Sequence, residues 1–189
     1  MKSSLLLSLL ALTACSNGGG GGNSAPPGGT GVPPGGGFAT SFTVLVTLRS
    51  EVEPNDSIAV ANALTMPIHS ATADYVGTGA LGDITELTDT ADFFSFTAAR
   101  EHEFTIKLCD SICTGFDASD TLDVSIAYFE VLDQSGTLLM SSQGDLAAGN
   151  FQTISIDAGV LYYLGVFPED TVGASQDYVV SAVEKPPIP

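Results

Sequence analysis

Four oxygen-bearing side chains are concentrated in one short stretch of the sequence, Glu51-Val52-Glu53-Pro54-Asn55-Asp56. Calcium in proteins takes six to eight oxygen ligands, mostly from carboxylates, amides and carbonyls. Carboxylates that converge in a partly buried site repel one another, so they need a cation to neutralise them. The stretch therefore predicts a calcium site. The alternative is a turn in which Asp56 caps a short helix over residues 57–64, and both interpretations can hold together.

No comparable pattern indicates catalysis. The chain has two histidines, His69 and His102. His102-Glu103 matches the start of the H-E-x-x-H zinc-protease motif, but Ile106 occupies the position of the second histidine. We expect both histidines in exposed loops and predict no catalytic residue. A cryptic hydrolase that uses carboxylates and a histidine is the least favoured alternative.

The first 15 residues, MKSSLLLSLLALTAC, have the organisation of an export leader. Lys2 precedes an apolar run over residues 5–14, which is shorter than the about 20 residues that a transmembrane helix needs. Leu12-Thr13-Ala14-Cys15 resembles the lipobox of bacterial lipoproteins, a family in which the leader is removed and the cysteine is acylated. The resemblance implies a signal peptide over residues 1–14 and a lipid anchor at Cys15. Ser16 follows the cysteine, where lipoproteins kept at the inner membrane often carry Asp, so the outer membrane is favoured.

The two remaining cysteines, Cys109 and Cys113, lie four residues apart. In an oxidising envelope this spacing predicts a disulfide that closes a small loop. A metal-binding pair is the alternative, although the sequence has no second Cys or His pair to complete a zinc site.

Composition divides the mature chain into a tether and a domain. Residues 15–37 are mostly Gly, Pro and small polar residues, which predict a flexible spacer, and residues 38–189 have the length of one domain. The chain carries 22 acidic and 5 basic residues, a formal net charge of −17. Nucleic acid and anionic lipid headgroups are therefore excluded as partners. We expect membrane association through the lipid anchor, and a partner outside the cell or in the periplasm that is an unidentified protein or matrix ligand.

The domain has the pattern of an all-β protein. Residues 42–48 are rich in β-branched residues and alternate apolar positions, and Asp133-Gln134-Ser135-Gly136 predicts a turn. Asp157-Ala158-Gly159 predicts a hairpin between two strands, and residues 57–64 have helical spacing. We predict an antiparallel, jelly-roll-like β-sandwich of about eight strands with one short helix. The other predicted strands cover residues 93–97, 104–108, 122–132, 137–140, 151–156, 160–167 and 178–183.

Four motifs in this order resemble the bacterial pre-peptidase C-terminal domain family, over residues 49–184. They are Glu51-Val52-Glu53-Pro54-Asn55-Asp56-Ser57, Asp89-Thr90-Ala91-Asp92-Phe93-Phe94-Ser95-Phe96, residues 122–136, and Gly159-Val160-Leu161-Tyr162-Tyr163-Leu164-Gly165-Val166. The resemblance implies a non-catalytic β-sandwich that accompanies secreted peptidases or serves as a binding module. It also implies a calcium ligand set of Glu51, Glu53, Asn55, Asp56, Asp89 and Asp92.

The 189 residues contain no protease domain beside these motifs, so we expect a departure from the usual family arrangement. We therefore expect a lipid-anchored, calcium-stabilised binding or accessory module of the envelope. An accessory or chaperone-like partner of a separately encoded secreted peptidase is the alternative.

Overall fold

The computed structural model describes residues 42–84, 91–110, 121–144, 149–169 and 176–186, together with the backbone of residues 8–14. These residues form eleven β-strands and no helix. The strands are β1 (Ser8–Ala14), β2 (Phe42–Ser50), β3 (Asn62–Ala63), β4 (Tyr75–Ile84), β5 (Asp92–Thr97), β6 (His102–Cys109), β7 (Ala127–Leu132), β8 (Leu138–Ser141), β9 (Phe151–Ile156), β10 (Leu161–Pro168) and β11 (Gln176–Glu184).

The strands form two sheets, which confirms the predicted all-β sandwich. Sheet A has the order β1-β2-β4-β11-β6-β9, and sheet B has the order β3-β5-β10-β7-β8. Most neighbours are antiparallel, as predicted, but β2 pairs with β4 and β3 pairs with β5 in parallel. Both sheets are therefore mixed. In each parallel pair, a strand of the other sheet lies between the two partners in sequence, β3 between β2 and β4 and β4 between β3 and β5, so no hairpin links them.

The core lies between the facing sides of the sheets. β5 and β7 alternate buried and half-buried residues along their length, as strands with one face on a core do. Phe96 of β5 packs with Phe104 of β6 at a ring-centroid distance of 6.2 Å and with Tyr162 of β10 at 6.0 Å. The contact between Phe96 and Phe104 joins sheet B to sheet A, and the contact between Phe96 and Tyr162 lies within sheet B.

Strand β4 was not among the predicted strands, because its sequence YVGTGALGDI is rich in glycine. Glycine lowers β propensity, but it also permits close approach of neighbouring chains. A Cβ on Gly79 would lie 2.8 Å from Cδ2 of Leu48, and a Cβ on Gly77 would lie 2.8 Å from Cγ2 of Val183. The glycines thus make room for side chains of β2 and β11, which flank β4 in sheet A.

The helix predicted over residues 57–64 is wrong. Val60 donates a backbone hydrogen bond to Ser57, but the chain then enters β3, and Leu64 N–H donates to Ser95 of β5. The Asn62 side chain accepts from Val52 N–H and donates to Val52 C=O. An eight-residue helix is marginal by itself, and the pairing of β3 with β5 together with the bonds between Asn62 and Val52 stabilises the extended path instead.

The hairpin predicted at Asp157-Ala158-Gly159 is also wrong. Gly159 adopts a left-handed φ of 73°, so the turn itself is present. However, the strand before it, β9, pairs with β6 in sheet A, while β10 pairs with β5 and β7 in sheet B. The turn therefore carries the chain from one sheet to the other.

The N-terminal strand β1 lies within the predicted leader. It pairs antiparallel with β2, from Ser8 opposite Leu48 to Ala14 opposite Phe42. Cys15 and the predicted tether lie outside the described residues, so lipidation stays a prediction. Within the described ranges, no helix is long and apolar enough to cross a membrane.

Candidate functional site

A group of three carboxylates lies where β2 ends and β5 begins. Ligand oxygens of Glu51, Glu53 and Asp92 all lie within 4.8 Å of one another. Glu51 directly follows β2, and its N–H donates to Leu81 of β4. Asp92 is the first residue of β5 and is 1% exposed. Sheets A and B thus position Glu51 and Asp92, and the segment that follows Glu51 adds Glu53.

Tyr178 of β11 links two of these carboxylates. Its hydroxyl lies 2.7 Å from Oδ2 of Asp92 and 3.1 Å from Oε2 of Glu51. A phenol has one proton to donate, so it cannot satisfy both carboxylates at once. Burial and the negative charges of Asp92 and Glu51 raise the pKa of Tyr178, which keeps the hydroxyl protonated.

Neither Tyr178 nor its neighbour Gly82 was predicted as a site residue. They lie opposite each other in the ladder between β11 and β4, and a Cβ on Gly82 would overlap Oε2 of Glu51 and lie 2.5 Å from the Tyr178 hydroxyl. Gly82 therefore makes room for the contact between Glu51 and Tyr178. No sequence motif indicates this contact, because it depends on the register between β4 and β11, which are almost 100 residues apart in sequence.

Asn55 is fully buried beside the carboxylates. Its backbone C=O accepts from Phe93 N–H at 2.9 Å, which fixes the residue against β5. One end of its side-chain amide lies 3.0 Å from Oδ1 of Asp92 and 3.0 and 3.1 Å from the two carboxylate oxygens of Glu53. If this end is the NH₂ group, it donates to both carboxylates. If it is the oxygen, a cation must lie among the oxygens, because acceptors alone repel.

The electrostatics of the group favour a positive partner. Two unit charges 4.8 Å apart repel by roughly 3.5 kcal/mol at an effective dielectric constant of about 20. Burial raises the pKa of Glu51 to about 7, and the charges of Glu53 and Asp83 contribute to the increase. Hydrogen bonds from Asp83 N–H and Tyr178 lower this pKa but do not offset the burial. Without a cation, Glu51 therefore retains its proton well above the usual range for a carboxyl group.

The donor set fits calcium. Three carboxylates and one amide oxygen are the hard ligands that calcium prefers, and water can supply the remainder of a shell of six to eight oxygens. Of the predicted ligand set, the structure brings together Glu51, Glu53, Asn55 and Asp92. Asp56 is exposed and is not part of the three-carboxylate group. Asp89 lies outside the described residues.

A pocket of about 530 Å³ adjoins this group. Glu51 and Tyr178 form the wall that it shares with the carboxylates, and Asp83, Asp110 and Asp177 contribute further acidic side chains to its lining. The pocket therefore extends the negative potential of the site toward the surface of the sandwich.

A separate ionic cluster lies at the other end of β11, where Glu184 is fully buried. Its carboxylate accepts from Arg100 at 2.8 and 3.2 Å and from Val76 N–H at 3.2 Å. His69 Nε2 lies 3.0 Å from the same carboxylate. The buried charge is thus satisfied within the fold, and the arrangement is structural.

The expected exposure of the two histidines is wrong. His69 has a side chain 25% exposed because it contacts Glu184. His102 is the first residue of β6, is half-buried, and stacks on Tyr75 at a centroid distance of 5.6 Å. Both rings are held by packing rather than presented to solvent.

Cys109 lies at the end of β6, where it is fully buried and disulfide-bonded. Cys113 lies outside the described residues, so its pairing with Cys109 stays a prediction.

Comparisons with known proteins identify similar solved structures, of which two are representative. One is the pre-peptidase C-terminal domain of collagenase from Bacillus anthracis, with 19% identity, a TM-score of 0.39, and coverage of 56% of this chain and 88% of that chain. The other is PliG of Aeromonas hydrophila, a periplasmic lysozyme inhibitor of g-type lysozyme, with 15% identity, a TM-score of 0.40, and coverage of 66% of this chain and 99% of that chain. No family model and no curated protein sequence matches the chain. The first of these structures bears the name of the family that the sequence motifs resemble.

Proposed function

We propose that this protein is a lipid-anchored, non-catalytic binding module of the bacterial envelope, stabilised by calcium. The observation that supports it best is the convergence of Glu51, Glu53 and Asp92 around the buried amide of Asn55. Bound calcium would neutralise the carboxylates. Glu51, Glu53, Asn55 and Asp92 would hold it, with Asp56 and Asp89 as the further ligands that the family resemblance implies.

A calcium ion at this site would join segments that are distant in sequence. Glu51 continues from β2 of sheet A, Asp92 begins β5 of sheet B, and Tyr178 of β11 contacts both residues. Calcium would therefore stabilise the sandwich at one end, and its absence would leave like charges in contact across the two sheets. In this proposal the ion has a structural role, and the exposed surface of the domain binds the partner molecule.

Thermal unfolding of the chain from residue 15 onward, with calcium and then with excess chelator, tests this proposal. Calcium at 100 times its dissociation constant adds about 2.7 kcal/mol, which corresponds to roughly 5–10 °C in melting temperature for a domain of this size. Asp92→Asn should abolish most of this shift, and Glu101→Gln, at an exposed position, should leave it unchanged. An equal shift in both variants would contradict the proposed site.

The anchor is tested separately. Expression of the full chain with a radiolabelled or alkyne-tagged palmitate should label the protein, and Cys15→Ala should remove the label and release the domain from the membrane fraction. Labelling that persists in Cys15→Ala would place the lipid elsewhere.

The principal alternative is an accessory or chaperone-like partner of a separately encoded secreted peptidase. Crosslinking in intact cells followed by mass spectrometry distinguishes the two proposals, because the accessory role requires a peptidase among the crosslinked proteins. The less favoured hydrolase would need a histidine as base, and His69 is engaged with Glu184 at 3.0 Å. Any hydrolysis that survives in a His69→Ala/His102→Ala variant would eliminate that role for both residues.

A further inference from the structure

Removal of the leader, which is part of the proposed function, would leave β2 at the edge of sheet A among the strands that the structure describes. In the full chain, β1 pairs with β2 along Phe42 to Leu48, and β4 pairs with the opposite side of β2. Cleavage before Cys15 removes all of β1, because β1 ends at Ala14. The N–H and C=O groups of β2 that pair with β1 in the full chain then lose these partners.

The backbone of Thr43 shows which groups of β2 point toward this edge. Thr43 N–H donates to Oδ2 of Asp74 at 2.8 Å, and Thr43 C=O accepts from Asp74 N–H at 2.9 Å. Asp74 directly precedes β4, so Thr43 directs both groups toward the β4 side. Because successive residues of a strand alternate in direction, Val44 and Val46 direct their N–H and C=O groups toward the edge that β1 occupies.

This edge lacks the features by which proteins usually prevent strand addition. Edge strands are commonly protected by proline, by charged side chains or by a bulge. β2 has the sequence FTVLVTLRS, with no proline, no acidic residue and one charge at Arg49 near its end. In a chain of net charge −17, the nine residues of β2 form a segment that a second acidic molecule can approach without direct repulsion.

The sequence of β2 is symmetric about Leu45. Residues 43–47 read Thr-Val-Leu-Val-Thr in both directions. An antiparallel pairing of two β2 strands about Leu45 would place Leu45 opposite Leu45, Val44 opposite Val46, and Thr43 opposite Thr47. The Thr43–Thr47 pairs are of a type that contributes roughly 0.2–1 kcal/mol each relative to Ala–Ala.

The backbone directions agree with the same pairing. Val44 and Val46 direct their hydrogen-bonding groups toward the edge, so they would form the hydrogen-bonded pairs on either side of the axis. Leu45 directs its groups toward β4, so it would occupy the non-hydrogen-bonded position at the axis. We propose that the mature protein dimerises by antiparallel pairing of β2 with β2 of a second copy, about a two-fold axis at Leu45. The second copy takes the position that β1 holds in the full chain, and two sheets A become one continuous sheet.

Cysteine crosslinking tests the register of this dimer. In the chain from residue 15 with Cys15→Ser, Leu45→Cys places two thiols at a non-hydrogen-bonded pair, where Cα atoms lie about 4.5 Å apart, within the range of a disulfide. The matched control Thr43→Cys places its two thiols more than about 13 Å apart along the strands. We expect a covalent dimer under oxidising conditions with Leu45→Cys and at least tenfold less with Thr43→Cys. Equal crosslinking of both variants, or crosslinking of neither, would overturn the proposal.

Sedimentation equilibrium tests the edge itself. The mature chain should be dimeric and Val46→Lys monomeric, because Val46 lies beside the axis and each copy would bring a charge into the pairing. Leu138→Lys, the same kind of change on β8 at an exposed edge of sheet B, should remain dimeric. A dimer that persists in Val46→Lys, or a mature chain that is monomeric at all concentrations, would refute the pairing.

These outcomes are independent of whether cells process the leader. The chain from residue 15 tests the dimer directly, and a full chain with Cys15→Ala, which retains β1, should be monomeric. Intact mass of the protein from cells reports processing separately: a mature chain beginning at residue 15 supports the lipoprotein proposal, and one that begins at Met1 contradicts it.

Discussion

One end of the Asn55 amide lies 3.0 Å from Oδ1 of Asp92 and within 3.1 Å of both carboxylate oxygens of Glu53. This end donates to both carboxylates if it is the NH₂ group, whereas it would be the oxygen if Asn55 ligated the proposed calcium. The orientation of one buried amide would therefore report on occupancy of the proposed site.

The first prediction concerns Asn55→Asp. Without calcium, the variant replaces a hydrogen-bond donor by a fourth carboxylate, so we expect a loss of about 1–3 kcal/mol in unfolding free energy. With calcium, the added charge should enlarge the calcium-dependent rise in melting temperature. Denaturant titrations in calcium and in chelator measure both quantities, and a calcium response smaller than that of the unmodified chain would contradict a ligand role for residue 55.

The second prediction concerns the pH dependence of stability through Glu51. Its pKa is raised from 4.5 to about 7, so the calcium-free folded chain binds a proton more tightly than the unfolded chain. This contribution is fully present below about pH 4.5 and is lost as pH rises to about 7. Glu51→Gln should flatten this part of the profile, raise stability at pH 8 without calcium, and weaken the response to calcium. A Glu51→Gln profile that still falls between pH 4.5 and 7 would assign the titration to another group.

The third prediction concerns the hydroxyl of Tyr178, which lies between Glu51 and Asp92. Tyr178→Phe keeps the buried ring but leaves the carboxylates without this donor, and we expect it to destabilise the calcium-free chain by about 1–3 kcal/mol. Tyr163→Phe, at a half-buried position in β10, is the control. Chemical denaturation in chelator compares the two variants, and equal losses would show that the hydroxyl of Tyr178 has no special role.

The fourth prediction separates buried from exposed ion pairs. Glu184→Gln removes the buried charge that Arg100 and His69 contact, and it should destabilise the fold by about 1–3 kcal/mol. Glu103→Gln removes the partner of Lys185 in a pair whose acidic side chain is 59% exposed, and it should change stability by less than about 1 kcal/mol. If calcium binds as proposed, both variants should retain the calcium response, since neither residue lies at the end of β11 that contacts Glu51 and Asp92. A reversed order of the two losses would show that the cluster around Glu184 is dispensable.

Hydrophobic alternation predicted most strands, and the bounds of β9 were predicted without error. Failures occurred where long-range contacts outweighed local preference. Residues 57–64 have helical spacing, but hydrogen bonds to Val52 and Ser95 take the chain into β3. Strand β4 was missed because its glycines lower local β propensity, and the space that they provide for Leu48 and Val183 is visible only in the folded sheet.

Long-range contacts also limited what the sequence could predict about the candidate site. Glu51, Glu53, Asn55 and Asp92 were predicted because their residue types match calcium chemistry and a family pattern. Tyr178 was not predicted, since its contact with Glu51 depends on the register between β11 and β4. Sequence patterns thus predicted the candidate ligands, and only the register between β11 and β4 places Tyr178 against two of them.

The position of β11 also has a consequence for biogenesis. Among the described strands, β11 is the last in sequence and lies between β4 and β6, so it connects two parts of sheet A that do not otherwise pair. Until residues 176–184 have been synthesised, sheet A remains divided, and such long-range pairing is slow to form. If the chain is exported as proposed, this late closure of sheet A would favour secretion before folding. A premature stop codon shortly before β11 would leave sheet A in two parts. Strands β4 and β6 would then be edge strands, unpaired on the two sides of the gap.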